Sequence, residues 1–276
     1  MPIFKNSRRT LILVGCMLLT LSAAAFATDE YIDYIEDQEE QREYDRLLPH
    51  INITDEDDFI TRADKVRTFV NDNSTHNISA EFYKHWGKPD VIVPKMLSYI
   101  QKRTDKKVHL ECSSRTEMAL NLYEALGYRA RAVVIHEYAY DYPSHTFLEV
   151  QNPDTKKWHA QDPDFNVYWE IIKTGERASA KDLIRLPQDE YHPCIAGQCD
   201  WELENAQGMP IQITRPYFGL ASIVDYKTGE RPLLVNQARF KMDTPQEIED
   251  GTVQTYCEYR AKNCRQDIVV FGENQS

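Results

Sequence analysis

Three residues whose types suit thiol catalysis follow one another in the middle of the chain: Cys112, His145 and Asp162. A thiolate attacks an amide carbonyl when a histidine takes its proton and an acceptor holds that histidine in the right tautomer. Cys112 opens a stretch of helical periodicity, where unpaired backbone N–H groups favour an anionic sulfur. The three residues therefore predict a nucleophilic cysteine site that needs no cofactor and no metal.

The helix that must carry the thiol is predicted over residues 112–126. Met118, Leu122 and Leu126 share one of its faces, and Gly127 suits the left-handed residue that ends many helices. A buried strand is predicted directly after it, over residues 129–135. This order brings a helix and a sheet into contact next to the thiol.

Two more strands must position the histidine and the acid, and they are predicted over residues 145–150 and 157–161 with a turn between them. In an antiparallel hairpin the start of one strand lies beside the end of its partner, so His145 and Asp162 are expected side by side. A helix followed by an antiparallel meander predicts the α+β fold class.

Four stretches of this region resemble the transglutaminase-like superfamily: residues 112–119 (CSSRTEMA), 126–131 (LGYRAR), 144–150 (SHTFLEV) and 158–163 (WHAQDP). The resemblance covers about residues 85–170. It implies a papain-like core with Cys112 as nucleophile, His145 as general acid and base, and Asp162 as the residue that orients it. It also implies an amidase or peptidase that acts on a protein or peptide amide through a thioester.

Departures from that pattern concern the residues beside the thiol. Glu111 stands where many relatives have glycine, and Ser113 stands where animal transglutaminases have an aromatic residue. Calcium-binding loops of those enzymes are not recognisable, so cross-linking is the alternative activity rather than the first.

A binding module for the cell envelope, without catalysis, is the alternative from a different class of function. The N–H of Cys112 and the indole of Trp86 are the candidate oxyanion donors.

Other residues compete for the same roles. His136 and His159 are rival bases, but neither is paired with a carboxylate at a comparable strand end, and Asp164 is the rival of Asp162. Aromatic residues that either line a cleft or pack inside are Tyr138, Tyr140, Tyr142, Tyr168 and Trp169.

The first 27 residues have the pattern of a secretory signal peptide. Lys5, Arg8 and Arg9 precede an uncharged apolar run that ends in small residues at Ala27. This predicts export to the periplasm or the medium. The alternatives are an uncleaved anchor, a lipoprotein with its lipid on Cys16, and a twin-arginine signal.

Most of the acidity of the chain lies in one segment. The formal net charge is −12, and residues 28–58 hold 13 acidic against two basic residues. A net negative charge argues against binding to nucleic-acid phosphates or to an anionic membrane surface. We therefore interpret residues 28–58 as an acidic N-terminal segment in front of the catalytic core, in which residues 28–48 are either solvated or form a pro-segment or a tail that binds a partner.

The core itself is predicted over residues 59–190, beginning with helices. One is expected from Phe59 to about Val70, capped by Thr54 or Asp55, and a second spans residues 89–103 or starts only at Pro94. Residues 71–79 read as a loop. A cysteine-containing, β-rich extension is predicted over residues 191–276, with strands at 219–226 and 232–240 that either extend the core sheet or form a small module.

The remaining cysteines are Cys194, Cys199, Cys257 and Cys264. In an exported chain they predict two disulfides, with Cys112 left free, and the pairing is open among three connectivities. A zinc site that includes His192 is the alternative, although the spacings are poor zinc signatures.

Overall fold

The computed structural model describes residues 41–136, 144–226, 228, 230, 232–236, 239 and 268–271. The predicted signal peptide, the first part of the acidic segment, Cys257 and Cys264 lie outside the described residues, as do Tyr138, Tyr140 and Tyr142. The chain divides into a unit that ends at Glu43 and a unit that begins at Tyr44. Every element below belongs to the second unit.

Helices come first along this unit. A 3₁₀ turn at Leu48–His50 is followed by α1 (Phe59–Asp72), α2 (Ala80–His85), α3 (Pro89–Ile100) and α4 (Cys112–Ala125), and the short α5 (Ala180–Arg185) and a 3₁₀ helix (Ile211–Tyr217) come later. The helix predicted from Phe59 is confirmed, but Asp58 caps it by accepting from the N–H of Thr61. Asp58 directly precedes the first helical residue, as a cap must.

The structure corrects one prediction in the helical region and decides between two alternatives for another. The stretch 71–79 is not all loop, because β1 (Ser74–His76) pairs in parallel with β2 (Val108–Leu110). The helix at residue 89 does not start at Pro94, which lies inside α3, while Pro89 occupies the first turn. A proline at the helix start costs little, because the backbone N–H that proline lacks would have no intrahelical partner at this position.

Within the part of the chain that the structure describes, the main sheet is mostly antiparallel and has ten strands. These are β3 (Ala130–His136), β4 (Ser144–Gln151), β5 (Trp158–Asp162), β6 (Val167–Ile171), β7 (Glu176–Arg177), β8 (Tyr191–Ile195), β9 (Gln198–Cys199), β10 (Leu220–Val224), β11 (Leu233–Asn236) and β12 (Ile268–Phe271). Their order is β12-β11-β10-β3-β4-β5-β6-β8-β9, with β7 beside β6. The predicted α+β fold class is confirmed as a combination of helices with a mostly antiparallel sheet.

The strands after residue 190 extend the core sheet on both sides. β8 pairs with β6, and β10 pairs with β3. The sheet is therefore continuous across the boundary expected at residues 190 and 191. This favours C-terminal strands that extend the core sheet over strands that form a small separate module.

Each face of the sheet is covered by its own apolar cluster. On one face Val66, Met118 and Leu122 of the helices pack on Leu148 and Val150 of β4. The segment 44–51 joins this cluster through the buried Tyr44, Leu47 and Ile51, so this part of the acidic segment is packed rather than solvated.

The other face is built around aromatic and aliphatic side chains. Phe147, Trp169 and Phe218 contact one another there, and α5 adds Leu183 and Ile184. Both faces of the central strands are thus buried, which explains why β3 reads as a nearly continuous apolar run. Within the described residues, no helix combines the length and the apolar character that crossing a bilayer requires.

Candidate functional site

Cys112 is the first residue of α4 and is half-buried. The residue before it, Glu111, caps the helix: its carboxylate accepts from the backbone N–H groups of Ser113 and Ser114. The same carboxylate lies 3.2 Å from Sγ of Cys112. The helix start therefore supports the thiol less than the sequence predicted, because an anion already occupies its N–H groups.

Glu111 is held in its charged form. Burial favours the neutral carboxyl, but hydrogen bonds from Ser113, Cys112 and Ser114 outweigh it and lower the pKa of Glu111. The negative charge of Glu111 therefore lies directly beside the sulfur that the sequence predicts as the nucleophile.

His145 and Asp162 lie side by side at one end of the sheet. The register of β4 with β5 pairs Leu148 with Gln161, so His145, near the start of β4, is a diagonal neighbour of Asp162 at the end of β5, and its Nε2 lies 2.7 Å from Oδ2 of Asp162. Both side chains are buried, with exposed fractions of 5% and 0%. The antiparallel pairing that the sequence predicts is the cause of this contact.

The second oxygen of Asp162 fixes the orientation of the carboxylate. Oδ1 accepts from the backbone N–H groups of Asp164, at 2.8 Å, and Phe165, at 3.1 Å. The turn after β5 thus holds the carboxylate while Oδ2 faces the imidazole. The ring of Phe165 also stands edge-on to His145, with 5.2 Å between the ring centres.

Cys112 and His145 are neighbours. Burial of the ring opposes protonation, but the charge and hydrogen bond of Asp162, together with a hydrogen-bonding contact to Cys112, raise the pKa of His145 well above its ordinary value. Because Asp162 takes Nε2, the atom left to face the sulfur is Nδ1. The structure therefore brings the three predicted site residues together.

A second histidine–aspartate pair, His76 with Asp164, adjoins this site. Nδ1 of His76 lies 2.9 Å from Oδ1 of Asp164. His76 is the β1 partner of Leu110, two residues before Cys112, and Asp164 is two residues after Asp162. The rival acid of the sequence analysis thus has a different histidine as its partner.

Arg115 completes this neighbouring cluster and is fully buried. Its Nη1 donates to the backbone oxygen of Asp164 at 2.8 Å and to Oδ1 at 3.0 Å. Sequence reasoning missed both His76 and Arg115. The spacing of Arg115 from Cys112, three residues along a helix, was the available signal, since it places both side chains on one face.

The rival bases are placed elsewhere. His159 is buried beside Phe59, neither ring nitrogen has a partner among the described residues, and burial lowers its pKa to about 4. His136 ends β3 opposite Ser144. Trp86 follows α2 with an exposed fraction of 59%. Trp169 is packed in the core and Tyr168 lies under Arg177.

A cavity of about 810 Å³ lies beside the β1–β2 pair. Its lining includes Thr75, Glu81, Lys95, Lys107 and His109. None of the three predicted site residues lines it. The free thiol and the paired histidine therefore lie apart from this cavity.

Cys194 and Cys199 form a disulfide across β8 and β9. Cys112 is a free thiol. Glu170 and His192 lie next to the disulfide, and together these four residues place one metal-ligating atom each within 4.8 Å of the others.

No known family model, curated protein or solved structure matches this chain.

Proposed function

We propose that this chain is an exported thiol amidase or peptidase with a papain-like core, as its resemblance to the transglutaminase-like superfamily implies. One observation carries the proposal: a buried histidine is held 2.7 Å from a carboxylate, and a free thiol at a helix start is near enough to help raise the pKa of that histidine. Nucleophile, base and orienting acid are the three parts that nucleophilic acyl transfer needs.

In the first half of the reaction, Nδ1 of His145 takes the proton of Cys112. The sulfur then attacks the amide carbon, and the imidazolium donates that proton to the leaving amine as the C–N bond breaks. The product is a thioester on Cys112. Asp162 stabilises the imidazolium through its hydrogen bond to Nε2.

In the second half, His145 takes a proton from water while the water oxygen attacks the thioester. Loss of the sulfur gives a carboxylic acid, and the proton returns to Cys112. The oxyanion of each half is assigned to the backbone N–H of Cys112, because Glu111 already occupies the N–H groups of Ser113 and Ser114. An amine in place of water would give acyl transfer by the same residues.

Alkylation with iodoacetamide tests the nucleophile. We expect fast modification of Cys112 near neutral pH, and we expect His145→Ala to slow it at least tenfold. His109→Ala serves as the matched control, since this half-buried histidine binds Ser79 and is not part of the triad. A Cys112 that reacts no faster than a free cysteine would leave only the binding module.

The second reactant is identified in a separate experiment. The protein is incubated with a peptide library and a labelled amine, with Cys112→Ser as the blank. New peptide termini that exceed amine incorporation support the hydrolase. The reverse ratio makes the chain an acyltransferase that modifies protein glutamine.

Export is part of the proposal and has its own test. The chain is expressed in a bacterium with its first 27 residues, and the amino terminus of the product is sequenced. Thr28 is expected as the first residue in the periplasm or the medium. A product that keeps Met1 at the membrane would indicate an anchor, and a lipid on Cys16 would indicate a lipoprotein.

A further inference from the structure

Four side chains of metal-ligating type share one face of the sheet far along the chain from Cys112. Glu170 of β6 is the direct partner of His192 of β8, and Cys194 of β8 is the direct partner of Cys199 of β9. His192 and Cys194 are two residues apart on one strand, so their side chains point to the same face. The register alone therefore groups all four.

Their ligand atoms are close enough for one ion. The carboxylate oxygen, the imidazole nitrogen and the two sulfurs all lie within 4.8 Å of one another, and Oε2 of Glu170 is 3.8 Å from Sγ of Cys199. A tetrahedral zinc ion with bonds of about 2.0–2.3 Å separates its ligands by roughly 3.3–3.8 Å. The two sulfurs must separate when their bond is reduced, and the other pairs of ligand atoms lie within about an ångström of this spacing or closer.

We propose that the four residues form a zinc site that the Cys194–Cys199 disulfide closes and that reduction opens. Thiolates, not disulfide sulfurs, bind the metal, so the oxidised pair leaves only His192 and Glu170 as ligands. Two sulfurs and an imidazole select Zn²⁺ over calcium or magnesium, which prefer oxygen.

The chemistry balances with an external dithiol as the reductant. Thiol–disulfide exchange breaks the Cys194–Cys199 bond, reduces both sulfurs by two electrons in total and oxidises the dithiol to its own disulfide. Zn²⁺ then displaces the two thiol protons. With the carboxylate of Glu170, the loaded site carries one net negative charge.

This site is separate from the proposed catalytic residues. Val167 of β6 is opposite Asp162, and Glu170 lies three residues further along the strand, a distance of about 10 Å. The metal site therefore does not depend on the activity proposed for Cys112, and either can fail alone.

The test uses the full mature chain with Cys112, Cys257 and Cys264 replaced by serine, so that Cys194 and Cys199 are the only thiols. The protein is treated with a phosphine reductant, freed of metal, and titrated with Co²⁺ and then Zn²⁺. We expect one ion per chain, a thiolate-to-cobalt charge-transfer band, and a higher Tm with Zn²⁺.

Ligand variants separate a four-residue site from simple chelation by two thiols. His192→Ala and Glu170→Gln are each expected to weaken Zn²⁺ binding at least tenfold, and the oxidised protein is expected to bind at least a hundredfold more weakly. Glu176→Gln, an exposed carboxylate on neighbouring β7, is the matched control and should change nothing.

Two results would overturn the site: no stoichiometric binding after reduction, or binding that neither His192→Ala nor Glu170→Gln weakens. Circular dichroism covers the case in which reduction unfolds the chain. Recovery of the folded spectrum on addition of Zn²⁺ supports the proposal, and a chain that stays unfolded in excess Zn²⁺ contradicts it.

Discussion

The carboxylate of Glu111 lies 3.2 Å from the sulfur of Cys112 and caps the helix that the cysteine opens. The carboxylate of Glu111 has two opposing effects. The carboxylate stabilises the start of α4, and its charge disfavours a thiolate at the adjacent residue. The reactivity of Cys112 therefore depends on whether His145 favours loss of the thiol proton more than the charge of Glu111 opposes it.

Glu111→Gln is expected to speed the alkylation of Cys112. Two unit charges about 4 Å apart interact by about 1 kcal/mol in bulk water, so removing the closer and partly buried charge of Glu111 is expected to give at least roughly fivefold in rate. Loss of the charged cap is expected to cost about 1 kcal/mol of the free energy of unfolding. Iodoacetamide kinetics and urea unfolding measure the two effects, with Glu176→Gln as control. An unchanged or slower alkylation rate would show that the carboxylate does not restrain the thiol.

Asp162→Asn is expected to cut amide hydrolysis by roughly 10²-fold or more, because the histidine loses its charged partner and its preferred tautomer. The asparagine Oδ1 can still accept from Asp164 and Phe165, so the turn is preserved. The pKa of His145, followed by NMR, should fall from its raised value. Asp164→Asn is the comparison, because it alters the neighbouring pair and leaves Asp162 intact.

Asp162→Asn is also expected to change how the free energy of unfolding depends on pH. A histidine whose pKa is raised on folding stabilises the protein below its unfolded pKa of about 6.5, and that contribution is lost as the pH rises through the folded value. The wild type should therefore exceed Asp162→Asn in free energy of unfolding most at about pH 5.5, with a smaller gap at alkaline pH. Urea titrations across this window measure it. A gap that widens with rising pH would contradict the assigned direction.

His159→Phe is expected to stabilise the fold without changing the alkylation rate of Cys112. Phenylalanine keeps the ring beside Phe59 and removes two buried nitrogens without partners among the described residues, a gain of about 1 kcal/mol. Because burial lowers the pKa of His159 to about 4, the wild type loses stability as the pH falls from about 6.5 towards that value. The gain from the variant should grow over this range. Slowed alkylation would instead give His159 a part in the site.

Arg115→Met is expected to destabilise the fold by about 3–5 kcal/mol, since it removes one partner of a buried ion pair. The variant leaves the buried carboxylate of Asp164 with His76 alone. Adding Asp164→Asn should recover part of the loss. Arg103→Met, at an exposed position, is the control, and thermal unfolding measures all four proteins. A loss below 1 kcal/mol in Arg115→Met would show that Arg115 does not hold this cluster.

Local pattern was enough for much of the architecture. Side-chain periodicity predicts the helix at residue 112 and the three strands after it. The positive φ of Gly127 follows because glycine has no Cβ. The contact between His145 and Asp162 follows from strand order alone, because antiparallel neighbours bring a start and an end together.

Tertiary structure decided what no local pattern contains. His76 and Asp164 are 88 residues apart in the chain, and they meet only because β1 pairs with β2 beside the turn after β5. The grouping of Glu170 with Cys199 likewise depends on β8 lying between β6 and β9. Sequence by itself determined the α+β order and which residue types could form a thiol site. The long-range pairing of strands, which no short window of sequence encodes, placed a second histidine–aspartate pair beside the thiol helix and grouped four metal-ligating side chains on one face.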